Sequence, residues 1–539
     1  MYDYVIVGAG SAGCVLANRL TEDPQTTVLL LEAGGPDDAQ EIHIPVAFSK
    51  LFQSALDWTY YTEPEPQLLN RKLYWPRGKM LGGSSSINAM IYIRGNRYDY
   101  DHWSELGNYG WSYDEVLPYF KKAENAERGP SEYHGIGGPL NVMERPHTGA
   151  LSHAFVQAGV ELGYPANDDF NGPSQEGFGV YQVTQKMGRR HSAAVGYLHP
   201  ALSRSNLTLE TQALATKLLF DGSRAVGIAY LRDGVEQEVR VNKEVILSGG
   251  AVNSPQLLLL SGVGPADQLR SLNIPVVADL PGVGENLQDH LFISVCYAST
   301  QSNSLFGVET MENLQEYMEF QRGPLTSNVA ESGAFLKTSP DQPEPNLQYH
   351  FAPVAYVNHG LTPPEGHGYT LGPTLVTPRS RGRLTLHSAD PSQHPAIFAN
   401  YLSDEADMRV LVEGTKFARR LAHTKAFAPF HDVETLPGPQ IQSDEDIISY
   451  IRRTAETIYH PVGTCKMGSD SLAVVDEQLR VRGIEGVRVV DASIMPTVVN
   501  GNTNAPTIMI AEKASDLIKG HSTLNQAGAT DLSKGHSVV

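Results

Sequence analysis

Tyr4-Val5-Ile6-Val7-Gly8-Ala9-Gly10-Ser11-Ala12-Gly13-Cys14 is the stretch on which the fold turns. Tyr4 to Val7 reads as a short buried strand, Gly8 to Gly13 as a turn, and Cys14 to Leu20 as a helix; a second strand, Thr27 to Leu31, ends at Glu32. The three glycines of this G-x-G-x-x-G pattern serve different ends. Gly8 makes the tight turn, Gly10 lets the backbone reach a pyrophosphate, and Gly13 allows helix and strand to pack closely. The helix N-terminus offers free N–H groups and a positive dipole end to phosphates. Glu32 lies 19 residues after Gly13, where a carboxylate can bond both ribose hydroxyls. A glycine turn without a ligand would not need that acid. The motif leaves FAD and NAD both open, while a carboxylate at position 32 repels the extra phosphate of NADP.

Beyond this βαβ start the pattern breaks, from Pro36 to Arg77, into coil rich in proline and aromatics, and long coils in compact domains often wrap a ligand. A helix is expected over Tyr113 to Glu124, with Val116, Leu117, Tyr119 and Phe120 on its packed face. Short alternating strands are expected between Asn206 and Val241, then a buried strand from Val245 ending in Gly249-Gly250, then a helix over Ser254 to Leu260. Further on, Asn346 to Phe351 and Arg383 to Leu386 read as strands and Asp404 to Ala422 as a helix. Val487 to Val490 reads as a strand and Ala505 to Ile518 as a closing helix. The fold expected is α/β, a Rossmann-like cofactor domain joined to a second α+β substrate domain of antiparallel sheet plus helices. The first domain takes residues 1–150, 199–290 and 461–520; the second takes 151–198 and 291–460; 521–539 reads as a flexible tail.

Trp75-Pro76-Arg77-Gly78-Lys79-Met80-Leu81-Gly82-Gly83-Ser84-Ser85-Ser86-Ile87-Asn88-Ala89-Met90 closely resembles the first signature of the glucose–methanol–choline (GMC) oxidoreductase family, and Gly250 to Gly264 resembles the second. Arg94-Gly95, Gly282 to His290, Tyr459 to Thr464, Asp491 to Pro496 and Gly501 to Thr507 are similar to other family stretches, so the resemblance covers nearly the whole chain. Within the family the chain looks most like bacterial choline dehydrogenases and membrane-associated dehydrogenases of aliphatic alcohols. The resemblance implies FAD as cofactor. It implies contacts to FAD from Gly8, Gly10, Ser11, Ala12, Gly13, Glu32, Ala33 and Trp58. It places Arg77, Gly78, Leu81, Gly82, Gly83 and Ser84 along the pyrophosphate and ring, and Asn88, Ala89, Met90 and Ile91 against the isoalloxazine. Ala215 would meet the adenine, and Gly249, Gly250, Asp491, Ala492, Asn502, Asn504, Ala505 and Pro506 would complete the site. Some relatives carry a histidine in the serine loop that bonds covalently to FAD; Ile87 stands there, and isoleucine cannot form the bond, so a non-covalent flavin is expected.

Alcohol oxidation needs an acceptor for the hydroxyl proton, and histidine suits neutral pH. His460 occupies the family's active-site histidine position. Asn504 matches the second position, where an amide would orient the alcohol and stabilise alkoxide charge. Glu331 could meet a polar or cationic substrate end or be simply solvated. His431-Asp432-Val433-Glu434 lacks partners at ligand spacing and no metal is expected. Cys14, Cys296 and Cys465 form no pair or zinc pattern. The net charge of −19 argues against nucleic acid as a partner. The first strand begins near Met1 and no apolar run approaches the ~20 residues of a membrane span, so a cytoplasmic protein is expected, with peripheral attachment to the inner membrane left open. The reading is an FAD-dependent dehydrogenase of a primary alcohol passing electrons to a quinone or other acceptor. Its neighbours are an oxidase using O2 and a non-redox hydroxynitrile-lyase-like flavoenzyme.

Overall fold

The computed structural model describes residues 1–520; the tail expected at 521–539 lies outside the described residues. Its first sheet has seven strands. Tyr2–Val7 sits in the middle, paired in parallel with Val28–Leu31 on one side and with the end of Val235–Leu247 on the other. Leu207–Glu210 and Val487–Val489 extend this parallel set. The central segments read as nearly continuous Val, Ile and Leu because both faces are covered, as parallel sheets require. Helix Ser11–Leu20 covers one face and packs against the closing helix Asn504–Lys519.

One expectation changes here. The strand expected from Val245 is the end of a single 13-residue strand, Val235–Leu247. Its last residues pair in parallel with Tyr2–Val7, and its first residues pair antiparallel with Arg224–Arg232, which in turn pairs with Ala213–Asp221. Up to Glu244 the strand is mostly polar and exposed, with Val241 the buried exception, and only Val245 to Leu247 is a buried apolar run, a switch in pattern that mimics a boundary. The following helix starts at Gly250, not Ser254. The Gly250 amide and the Ser254 hydroxyl both donate to Asp491, which ties the first turn of this helix to the end of the parallel sheet.

The second sheet has eight strands, all antiparallel, in the order His431–Leu436, Val295–Ser299, Gly368–Leu375, Leu347–Ala352, Ser332–Leu336, Gly177–Val180; Leu291–Phe292 also pairs with Gly368–Leu375, and Glu456–Thr457 pairs with Leu291–Phe292. Helices Ala150–Glu161 and Glu405–Ala422 pack on one face through Leu151, Phe155, Phe417 and Leu421. Strand alternation decides what the other face carries. Tyr349 and Phe351 point to the helices, so His350 and Ala352 point into the space between the two sheets. An α/β cofactor layer and an antiparallel α+β layer thus face each other, in agreement with the fold class expected from sequence.

The coil expected over 36–77 is held rather than loose. It contains 3₁₀ turns at Pro45–Leu51 and Pro66–Leu68 and a short pair, Tyr60–Tyr61 with Tyr74–Trp75. Arg94, of the Arg94-Gly95 stretch, is buried in a polar network. It donates to Glu124 at 2.8 Å, to the Tyr92 hydroxyl and to the Tyr133 carbonyl, so its role lies in the fold. Glycines set the closest approaches: a Cβ on Gly13 would lie 1.9 Å from the Gly8 carbonyl oxygen. Replacing Gly13 by Ala therefore forces the first helix off the central strand, and we expect a loss of about 2 kcal/mol or more. Chemical denaturation checks this; an unchanged midpoint would refute the contact.

Candidate active site

The two layers enclose an elongated cavity of about 430 Å³. At one end lies Glu32, buried, with Oε2 accepting the Ala9 amide at 2.9 Å and Oε1 the Gly34 amide at 2.8 Å. Burial pushes its carboxyl up to about 7. Each oxygen keeps a lone pair for a hydroxyl donor. Gly8, Gly10, Ser11, Ala12, Ala33 and Ala215 line the same end. In the middle, helices Ser11–Leu20 and Asn504–Lys519 both begin at the cavity without a side-chain cap, which leaves N–H groups for an anion. Gly83 presses on this turn so closely that a Cβ there would lie 2.8 Å from the Gly10 Cα. Ser248 keeps a buried hydroxyl without a partner at the wall.

Most residues expected to hold FAD are brought together here. Trp58, Arg77, Gly78, Ser84, Asn88, Ala89, Met90, Ile91, Gly249, Gly250, Asp491, Ala492, Asn502 and Asn504 join those already named on the wall. Gly13, Leu81, Gly82, Ala505 and Pro506 do not reach it. Gly13 packs against Gly8, and the Gly82 and Leu81 amides donate to the Ala9 and Gly35 carbonyls, so these three shape the cradle from behind. Ala505 and Pro506 are buried in the first turn of the closing helix. A long groove with a ribose-competent acid, open helix N-termini and glycine walls fits an anionic dinucleotide such as FAD.

At the other end stands His460. Asp289 accepts its backbone amide at 2.7 Å, and the same carboxylate takes the Thr457 hydroxyl at 2.5 Å and the Tyr401 hydroxyl. Tyr459, immediately before it, has φ of 73°, a conformation that costs a bulky residue energy. Arg77 holds that turn by donating to the Tyr459 carbonyl at 2.6 Å, and the Tyr459 hydroxyl is bonded to His359 at 2.7 Å. The His460 ring is buried, with Nδ1 3.0 Å from His290 Nδ1 and Nε2 3.2 Å from Asn502 Nδ2. Burial, reinforced by His290, His350 and Arg77, holds its imidazole well below the ordinary value, so it is neutral.

The amide beside His460 therefore belongs to Asn502 and not to Asn504, the position expected from sequence. Asn504 Oδ1 accepts the Ser11 hydroxyl at 2.7 Å, at the junction of the two helix N-termini. Both asparagines lie within one short segment, and only the start of the helix at Asn504 turns the two apart. Glu331 is also corrected. It is neither solvated nor in the cavity, but fully buried and paired with Arg145 at 3.2 Å, with bonds from the Gly149 amide and the Ser152 and Ser327 hydroxyls. Burial works to raise its pKa, and Arg145 with these hydroxyls outweighs it and holds the carboxyl below its usual value. Among the described residues no group of side chains could hold a metal ion, and Glu434 is paired with Arg419 at 2.7 Å.

Residues without a distinguishing mark in the sequence complete this end. His350 bonds Thr374 through Nδ1 and presents Nε2, without a partner, where its ring lines the cavity. Phe48, Phe52, Phe292, Val329, Ala352 and Tyr356 form apolar walls. Alternation in the strand around His350 is the available signal, though a lone strand histidine is ordinarily a packing residue.

Comparison with known proteins agrees with this geometry. The GMC oxidoreductase N-terminal family model matches residues 2–292 and the C-terminal model residues 378–511. The chain is 50% identical over 527 residues to an alcohol dehydrogenase (acceptor) of Pseudomonas putida, covering 96% of each protein. It is 48% identical over 538 residues to the mitochondrial choline dehydrogenase of Mus musculus, covering 97% of this chain and 90% of that one. Among solved structures, pyridoxine 4-oxidase from Mesorbium loti superposes with a TM-score of 0.89 at 32% identity, over 97% of this chain and 100% of that one. A formate oxidase of Aspergillus oryzae RIB40 gives 0.90 at 27% identity, over 98% and 99%. With both family models matched and the fold shared end to end, this chain belongs to the GMC oxidoreductase family.

Proposed function

We propose that the protein oxidises an uncharged primary alcohol to the aldehyde at a non-covalently bound FAD and passes the electrons to a quinone or another acceptor. The observation that carries this reading is a neutral, buried histidine at the apolar end of a dinucleotide groove, its Nε2 facing an amide. FAD, when bound, supplies the acceptor for the α-hydride. His460 takes the hydroxyl proton at Nε2, whose lone pair the bound alcohol takes over from the Asn502 N–H. Asn502 orients the substrate oxygen and offers its N–H to the developing alkoxide, and His350 Nε2 supplies a second polar contact. The phenyl and aliphatic walls keep water from the reacting carbon and seat the alkyl chain. Residues 1–150, 199–290 and 461–520 form the cofactor half of this machinery, and the remainder of the described chain forms the substrate half.

Several relatives carry the name choline dehydrogenase, yet an uncharged substrate is the better match here. The carboxylates among the described lining residues are Glu32, at the far end, and Asp491, whose oxygens already take bonds from Gly250, Ser254 and Ser493. Glu331 is turned away to Arg145. A quaternary ammonium would meet no carboxylate at this end, and aromatic rings, those of Phe48, Phe52, Phe292 and Tyr356, would be left to compensate for its lost hydration.

Anaerobic mixing of the yellow protein with a medium-chain alkanol, benzyl alcohol or choline tests the substrate. One of the first two should bleach the flavin at least 100-fold more efficiently than choline, a difference on the scale of one lost charge contact. Preference for choline would contradict the substrate assignment; a flavin left oxidised by every alcohol would favour the lyase chemistry. Acid precipitation of the same protein should release the flavin, since Ile87 offers no atom for a covalent bond. The two asparagines are separated by mutation. Asn502→Ala should lower kcat about 100-fold with FAD retained, whereas Asn504→Ala should loosen FAD with a smaller effect on kcat of the loaded enzyme. The reverse pattern would return the substrate contact to Asn504.

A further inference from the structure

His460 has two ring nitrogens, and only one protonation pattern suits a base facing the cavity. Nε2 must carry the lone pair, which obliges Nδ1 to carry the proton. Left alone, an imidazole populates both tautomers, so something has to hold the proton on Nδ1. The structure places a single group there. His290 Nδ1 lies 3.0 Å from His460 Nδ1, with ring planes at 87° and centroids 5.2 Å apart. Two nitrogens at that distance share one proton, one ring donating and the other accepting. On the opposite side Asn502 Nδ2, a donor, faces His460 Nε2 at 3.2 Å and so requires a lone pair there. Both contacts are satisfied together only if His460 Nδ1–H donates to His290 Nδ1, with the proton of His290 on its own Nε2.

We infer that His290 is a positioning residue that fixes the reactive tautomer of His460. This rests on the role of His460 as base proposed above. His290 is fully buried, on the far side of His460 from Asn502, and touches neither side of the reaction directly. Its backbone neighbour completes the arrangement. Asp289 accepts the His460 amide, so the dipeptide Asp289-His290 grips the catalytic residue by main chain and ring at once. When His460 takes the hydroxyl proton at Nε2, the imidazolium formed already has its Nδ1–H bonded, and no ring flip or proton jump is needed. The charged or titratable groups around the pair are His350, Arg77 and Asp289. Burial and then His350 push the His290 imidazole down to about 3, so both rings of the pair are neutral and the direction of the bond is set by the contact of Asn502 on the other side of His460.

The test uses the FAD-loaded enzyme with ¹⁵N-labelled histidine rings, the His460 signals being assigned through His460→Gln. The native enzyme should show a protonated Nδ1 and a lone-pair Nε2. In His290→Phe, which removes the acceptor, the Nε2–H tautomer should appear, and flavin reduction at saturating alcohol should fall about 100-fold with bound FAD unchanged. His290→Gln, whose amide oxygen can accept the same bond, should recover to within about tenfold of the native rate. A native His460 protonated at Nε2, or a tautomer unaltered in His290→Phe, would overturn the assignment. Should the Phe variant fail to fold, the native signals decide by themselves. An alcohol series that leaves the native flavin oxidised contradicts the base reading, whereas the tautomer signals test His290 without turnover.

Discussion

Gly83 lies against the turn at Gly10 at a distance that leaves no room for a side chain on Gly83, and the cavity depends on that contact. Gly10 and Gly83 approach until a Cβ on Gly83 would stand 2.8 Å from the Gly10 Cα. Nearby, a Cβ on Gly78 would meet the Gly83 carbonyl at 2.2 Å, and one on Gly34 would meet the Lys79 carbonyl at 2.0 Å. The long segment after the second strand is thereby pinned to the front of the parallel sheet. Without these approaches the Gly82–Ser86 loop could not close over the helix N-terminus, and Arg77 could not reach the turn that carries His460. Backbone proximity at one end therefore fixes side-chain chemistry at the other.

That linkage runs through few bonds. Arg77 joins the loop to the Tyr459 carbonyl, Tyr459 holds a left-handed backbone, and Asp289 takes the next amide. Strain at Tyr459 is tolerated because its carbonyl, its ring and the following amide are all held by other elements. The antiparallel sheet contributes differently. It offers one alternating face, from which His350 and Ala352 enter the cavity, while Tyr349 and Phe351 anchor the same strand to the outer helices. The glycine cradle and the opposite face of the cavity thus come from distinct kinds of sheet, and His460 sits in the connection between them.

Much of this is legible in the sequence, for identifiable reasons. The strand, turn, helix and acid from Tyr4 to Glu32 obey local rules, so their assignment needs no long-range contact. The loop from Trp75 to Met90 is recognisable by its residues, though its shape is not, because that shape depends on approaches to Gly10 and Gly35 far away in the chain. Asn502 and Asn504 cannot be separated from sequence: they are the same residue type two positions apart, and the onset of a helix between them decides which one faces His460. Glu331 gives no sign of its burial because its partner, Arg145, lies nearly two hundred positions earlier. His290 belongs to a family-like stretch yet shows no role in sequence, since a histidine acquires meaning only when the partner of each nitrogen is known. The 13-residue strand Val235–Leu247 reads as two pieces because continuous burial begins only at Val245, and burial, not hydrogen bonding, is what periodicity reports.

The central claim is that His460 and Asn502 grip the alcohol oxygen between them at the apolar end of the flavin groove. A crystal structure of the FAD-loaded protein with an unreactive fluorinated alcohol measures this directly. The account predicts the hydroxyl oxygen within about 2.6–3.2 Å of both His460 Nε2 and Asn502 Nδ2, with the alkyl chain among Phe48, Phe52 and Phe292. An oxygen bound instead at Asn504, or an alkyl chain directed away from those rings, would contradict it.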